Sequence, residues 1–250
     1  MNRYLLYLLS GACIAGMVRL GIWQVDRGEY KEALLAHSRQ VLSDRNPTPL
    51  AAATDAAMPE VESDAYDWAA GDGHFLPLPA LRLDNQVRNG VSGLRVYRVF
   101  QPDGARRALL VELGWRALPS RTDMPVEPPA PPSLGNVRGL MSPPPVAGLS
   151  LGGGTVQTLP DKTLLLVKLD PKTLATTLHL RNGLSPRVLR LDPQQKVGYK
   201  RDLLMLSGTL PPEKHRGYAV QWFGLAGGLL AATIVVARRK PRRKPDEEAA

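Results

Sequence analysis

The sequence predicts a membrane α+β protein: two transmembrane helices flanking a β-rich, mostly antiparallel extracytoplasmic domain with short helices. Three observations predict it. The run from Tyr218 to Ala237 holds no charged residue, and a helix of that length rises about 30 Å, the thickness of a bilayer's hydrocarbon core. A second apolar run, Tyr4 to Val18, lies near the N-terminus. Between the two, apolar residues recur with the two-residue period of strands.

The C-terminal run is followed at once by Arg238, Arg239, Lys240, Arg242, Arg243 and Lys244. Lys and Arg flanking a span stay in the cytoplasm, so residues 238–250 form a basic cytoplasmic tail behind a span at 218–237. The N-terminal run reaches spanning length only if its helix carries on through Arg19 to Trp23. Arg19 can extend its stem to bring its charge among the headgroups, and Trp23 suits the interfacial aromatic belt. That sets a span at 4–23 behind a short cytoplasmic N-terminus, 1–3, where Arg3 is the only charge. A cleaved signal peptide fits less well, because the basic region is minimal and no small-x-small site follows. A lipoprotein signal at Cys13 fits poorly after Leu9-Ser10-Gly11-Ala12.

The remainder, 24–217, is long enough for one extracytoplasmic domain with a real core. The single cysteine, Cys13, lies in the first run. The domain therefore has no disulfide and no thiolate pair for copper delivery or thiol exchange. The net charge of +9 owes much to the tail, where it sets topology and meets anionic membrane lipid. That origin argues against a nucleic-acid partner.

Along the chain, Gln24 to Leu42 contains no Pro and reads as a helix leaving the membrane. Gln24, Arg27 and Lys31 are spaced by three and four, so they share a face. Residues 46–79, rich in Ala, Pro, Asp and Glu, read as a flexible insertion. Strand patterns then begin at Leu81. Asn89-Gly90 marks a hairpin turn before Leu94 to Phe100. Ala108 to Trp115 follows, with Leu109, Val111, Leu113 and Trp115 on one face. Pro-rich loops at 125–132 and 143–145 surround a short strand at 136–141. Further strands are expected at 155–159, 163–169, 187–192 and 203–210. Asp170-Pro171 is a helix start, with Asp as N-cap and Pro at the first helical position.

The chain shows no nucleophile elbow, paired-His zinc spacing, P-loop or dinucleotide fingerprint. An enzyme is not expected, and no catalytic residue is assigned. His215 stands out by position, between Lys214 and Arg216 just ahead of the second span. Trp222 lies two helical turns further along the same stripe. An imidazole, an indole and two cations so placed suit a flat anionic macrocycle such as a haem, with His215 on the iron. The spacing suits equally an interfacial His above a belt Trp. Gly224 and Gly228 form a G-x-x-x-G pair that lets helices approach closely, and Gly is also simply frequent in membrane helices.

Taken in order, these residues resemble the Surfeit locus protein 1 family of cytochrome c oxidase assembly factors. The resemblance rests on Leu20-Gly21-Ile22-Trp23-Gln24 with Arg27 and Lys31, on Gly114-Trp115, on Val137-Arg138-Gly139, and on Asp170-Pro171. Its most specific part is His215 with Gly217-Tyr218-Ala219-Val220-Gln221-Trp222-Phe223. The resemblance implies a non-enzymatic role in the bacterial inner membrane, with both termini cytoplasmic. It implies transient binding of haem a, with His215 and Trp222 as the implicated residues. It further implies help in inserting haem a into cytochrome c oxidase subunit I, with haem a synthase a further partner. A membrane scaffold that stabilises an oxidase intermediate without touching haem is the alternative. It would use Trp23, Gln24, Arg27, Lys31, Gly224 and Gly228. One departure is clear: the family's Arg ahead of Gly-Trp is here Leu113, preceded by Glu112.

Overall fold

The computed structural model describes residues 3–118, 127–128, 136–145, 156–203 and 210–238. The chain forms two compact units, Met1–Ala33 with Thr209–Ala250, and Leu34–Gly208.

The first unit is built from two helices. Helix α1 runs unbroken over Arg3–Asp44, its last residues belonging to the second unit. Helix α4 covers Pro212–Arg238. Both are long and apolar enough to cross a membrane. Their large apolar side chains are mostly exposed: Leu8 by 72%, Val220 by 72% and Leu225 by 55%. A core helix of a water-soluble protein would bury such a stripe. The pair is therefore compatible with a membrane protein. The basic residues 239–250 lie outside the described residues.

The second unit is a sheet with both faces covered. Its strands are β1 (Thr48–Pro49), β2 (Asp67–Gly71), β3 (Gly73–Phe75), β4 (Leu81–Leu83) and β5 (Gly93–Pro102). They continue with β6 (Ala108–Ala117), β7 (Val137–Ser142), β8 (Val156–Thr158), β9 (Leu164–Leu166) and β10 (Leu184–Leu191). The order is β1-β2-β7-β10-β6-β5-β4-β9-β8, with β3 also paired to β5. The expectation of a mostly antiparallel sheet needs correction, because the sheet is mixed. Its centre, β10 on β6, is parallel, as are β1 on β2 and β4 on β9. Parallel partners here are far apart in sequence, so no turn signal announces them.

Alternation along the central strands sorts side chains onto two apolar clusters. Tyr97, Val99, Leu110 and Val188 join Leu81, Leu166 and Leu174 on one side. Phe100, Leu109, Val111 and Leu189 join Leu50, Phe75, Val137 and Met141 on the other. Helix α3 (Pro171–Thr177) contributes Leu174 to the first cluster, and the short α2 (Leu50–Asp55) contributes Leu50 and Ala53 to the second. The Asp170 carboxylate accepts from the Lys172 N–H, the cap its sequence predicts. The Asn89-Gly90 turn forms as expected, both residues at positive φ.

Two further expectations fail, the second in part. Residues 46–79 are not a flexible insertion, since they supply β1, α2, a 3-10 turn (Glu62–Ala65), β2 and β3. Leu50, Ala69 and Trp68 are buried there. Few large apolar residues suffice because Leu50, Trp68 and Phe75 are packed almost fully. The alternation expected from Leu109 to Trp115 holds for Leu109, Val111 and Leu113, which share one cluster, and breaks before Trp115. The register against β5 shifts between Val96 and Tyr97, which face Gly114 and Glu112, leaving Leu113 as the extra residue. Gly114 has φ +124, and a Cβ there would lie 2.8 Å from the Tyr199 carbonyl oxygen. The bulge explains why this strand needs glycine before its tryptophan. Of the strand expected at 203–210, residues 204–209 lie outside the described residues, as do 125–126 and 129–132 of the first Pro-rich loop.

Candidate functional site

The helical unit is held together by one stripe of α1. Gly21 meets the Phe223 ring, where a Cβ would come within 2.6 Å. Gln24 Oε1 lies 2.7 Å from His215 Nδ1. Gly28 lies against the Cβ of His215 and the Pro212 carbonyl. Lys31 Nζ donates to the Leu210 carbonyl at 2.6 Å. The positions 21, 24, 28 and 31 are spaced by three and four, the period of one helix face. Their partners 223, 215, 212 and 210 run the opposite way. Glycines at 21 and 28 let the backbones close up around the polar pair.

At the centre of this stripe sits His215, 5% exposed. With the Gln24 amide oxygen toward the ring, the imidazole donates from Nδ1. The other ring nitrogen, Nε2, is buried and has no hydrogen-bond partner among the described residues. His215 lies ahead of the uncharged run that begins at Tyr218. Burial pushes its pKa below the usual histidine value, and the Lys31 and Arg27 cations push the same way. The ring is therefore a neutral imidazole with a bare lone pair, the form that ligates metals.

The other residues singled out in the sequence fall in different places. Trp222 is half-buried two turns beyond His215. Trp23 is 54% exposed. Arg27 does not join the α4-facing stripe with Gln24 and Lys31; its guanidinium lies 4.8 Å from the Tyr30 ring centre. Arg216 pairs with Glu32, and Lys214 is exposed. Cβ atoms added at Gly224 and Gly228 would meet nothing within 4 Å, so their stripe is open.

The sheet unit holds a buried polar network that the sequence did not announce. Glu112, 4% exposed, lies beside Tyr97 on β5 and Arg190 on β10. Its Oε2 accepts from Arg95 Nη1 and from the Tyr97 hydroxyl, both at 3.2 Å, and lies 3.6 Å from Arg190 Nε. Burial first, and the Glu112 charge second, push the Tyr97 hydroxyl's pKa well above its usual value. Arg82, fully buried, pairs with Asp161 at 2.9 Å and Glu127 at 3.3 Å. Tyr199, bonded to Glu127, is pushed up to about 12, mainly by burial. These groups pair with one another and link neighbouring strands. The only hint in the sequence is charge at positions of otherwise apolar strands, a pattern a half-exposed strand shares.

The motifs quoted for the resemblance have structural meaning here. Arg138 Nε donates to the buried Asp192 carboxylate at 2.9 Å, and a Cβ at Gly139 would lie 2.2 Å from the Arg190 carbonyl oxygen. Trp115 Nε1 donates to the Gln86 carbonyl at 2.7 Å. Glu112, next to Leu113 in place of the family's Arg, anchors the central network.

Among the described residues, no group of three or more His, Cys, Asp or Glu side chains is placed to hold a metal ion. A single buried imidazole between two apolar helices, in a chain that also carries a mixed-sheet domain, defines a two-helix protein with a one-donor candidate site. A family model agrees over residues 11–227, and the chain belongs to the SURF1 family, a family of cytochrome c oxidase assembly factors. No curated protein matches the chain significantly.

Proposed function

We propose that this chain is a non-enzymatic assembly factor of the bacterial inner membrane that holds haem a transiently and helps its insertion into cytochrome c oxidase subunit I. In this reading α1 and α4 cross the bilayer, both termini are cytoplasmic, and the sheet unit stands outside. The basic tail faces anionic lipid on the inner side. The observation that carries the haem reading is the lone pair of His215 Nε2, buried without a partner among the described residues. The donor fits the group: haem a offers an iron that takes a neutral imidazole nitrogen. His215 supplies that nitrogen and Gln24 fixes its ring. Trp222 offers an indole face further along the helix, and Lys214 offers a cation for propionates; Arg216 would first have to leave Glu32. Because Nε2 is covered, its cover must move before anything reaches it. That suits a factor that holds and releases, and haem a synthase is the natural donor.

The test is to co-express the full chain with haem a synthesis, purify it and record its spectrum beside His215→Ala. Haem in the wild type and its loss in the variant is the expected result. Equal haem in both would end the ligand assignment.

A scaffold that never touches haem is favoured by a separate observation, the open Gly224–Gly228 stripe, which suits close approach by a partner's helix. In that reading the exposed Trp23 and Arg27 are also contact points. Deleting the gene separates the two. Loss of haem a from an otherwise assembled subunit I supports delivery, and loss of the subunit itself supports scaffolding.

A further inference from the structure

We propose that Gln24 is a positioning residue for His215: its amide oxygen keeps the ring proton on Nδ1 and so leaves Nε2 as a buried, bare lone pair. The inference rests on the haem reading above for the identity of the acceptor, but its geometry is independent of it. The two side chains belong to different helices, 191 positions apart, and meet at 2.7 Å. An amide oxygen only accepts, so the facing nitrogen must carry the hydrogen. A neutral imidazole has one such hydrogen, and Nε2 is left without it.

The second observation is the state of Nε2 itself. A buried polar atom with no partner costs about 1–3 kcal/mol. Such atoms are few in folded proteins and call for an explanation. The opposite tautomer would place the N–H where no acceptor stands among the described residues, and the lone pair against the Gln24 oxygen. Gln24 thus selects a ring state whose other nitrogen can serve an electrophile. Ligating histidines elsewhere are oriented in the same way, by an acceptor on the remaining ring nitrogen. Lys31 is tied to the Leu210 carbonyl on the same seam, so the seam as a whole is ordered around His215.

The test uses the full chain in lipid nanodiscs with ¹⁵N-labelled histidine. The His215 signals are assigned by their loss in His215→Ala. Gln24→Met removes the acceptor at similar length, and Gln24→Glu keeps one. The expected wild-type spectrum shows an unprotonated Nε2. Gln24→Met moves the proton to Nε2 and weakens haem a retention about 10- to 100-fold, the usual cost of losing a ligand's orienting partner. Gln24→Glu keeps both close to wild type. A wild-type Nε2–H, a Gln24→Met ring unchanged from wild type, or a Gln24→Glu that behaves as Gln24→Met would each overturn the inference. If Gln24→Met moves the proton while His215→Ala holds haem as well as wild type, the positioning role stands and the haem reading falls.

Discussion

The two units partner their buried polar groups differently. In the sheet unit, Glu112, Arg82, Arg187 and Asp192 are buried and each meets an opposite charge. In the helical unit, His215 is buried with one nitrogen bonded and the other without a partner among the described residues. The contrast separates scaffold from site. Charge pairing locks neighbouring strands even where a single guanidinium nitrogen such as Arg187 Nε lacks a hydrogen bond of its own, whereas an imidazole nitrogen with neither hydrogen bond nor opposite charge carries a cost that a ligand or a partner would offset.

The largest effect should come from breaking the satisfied side. Glu112→Ala leaves Arg95, Arg190 and the Tyr97 hydroxyl facing one another across the central strands. Removing one partner of a buried ion pair costs about 3–5 kcal/mol. For a domain of this size that lowers the melting temperature by roughly 6–20 °C, read by circular dichroism on the full chain in detergent. The comparison sharpens if His215→Ala, in the same assay, moves the melting temperature far less. It breaks if the two variants cost the same.

How far this contrast was legible beforehand follows from the kind of signal each part sends. The helices, the Asn89-Gly90 turn and the Asp170 cap are local and could be read from spacing. The grouping of Gln24 with Lys31 was also readable, since helical periodicity sets it, but Gly28 rather than Arg27 is its third member on the α4 side. The meeting of Gln24 with His215 was not readable, because nothing local links residues 191 apart. The parallel pairing of β6 with β10 was hidden for the same reason. Residues 46–79 misled because their composition is that of a loop, while Leu50 and Trp68 anchor them. Nothing in the sequence marks Glu112 as buried, because a charge within a strand usually marks the solvent side.

A smaller effect tests the helical seam. Gly21→Leu drives a side chain into the Phe223 ring. Overpacking of this kind costs about 1–3 kcal/mol, less here to the extent that the half-exposed ring swings aside. Unfolding in mixed micelles, followed by Trp222 and Trp23 fluorescence, should show the loss. Phe223→Ala in the same chain should restore most of it, because the clash is then gone. If the double variant is as unstable as the two single losses added, Gly21 and Phe223 do not share a contact.

The smallest effect concerns acid. Burial alone would raise the pKa of Asp161, but hydrogen bonds from the Thr163 hydroxyl and N–H, with the Arg82 guanidinium, outweigh it and hold it below the usual carboxylate value. A carboxylate depressed in the folded state adds stability above its unfolded pKa, near 4, and loses it as pH falls through the folded value. Between pH 7 and 5 the contribution is complete, and below about pH 4 it fades. Asp161→Asn should therefore lower stability at pH 7 and flatten the acid limb of the melting-temperature curve. The two proteins should converge at the lowest pH at which both still fold. A parallel loss at every pH would mean that Asp161 acts through shape and not through charge. The paired side of the contrast would then rest on Glu112, Arg187 and Asp192 alone.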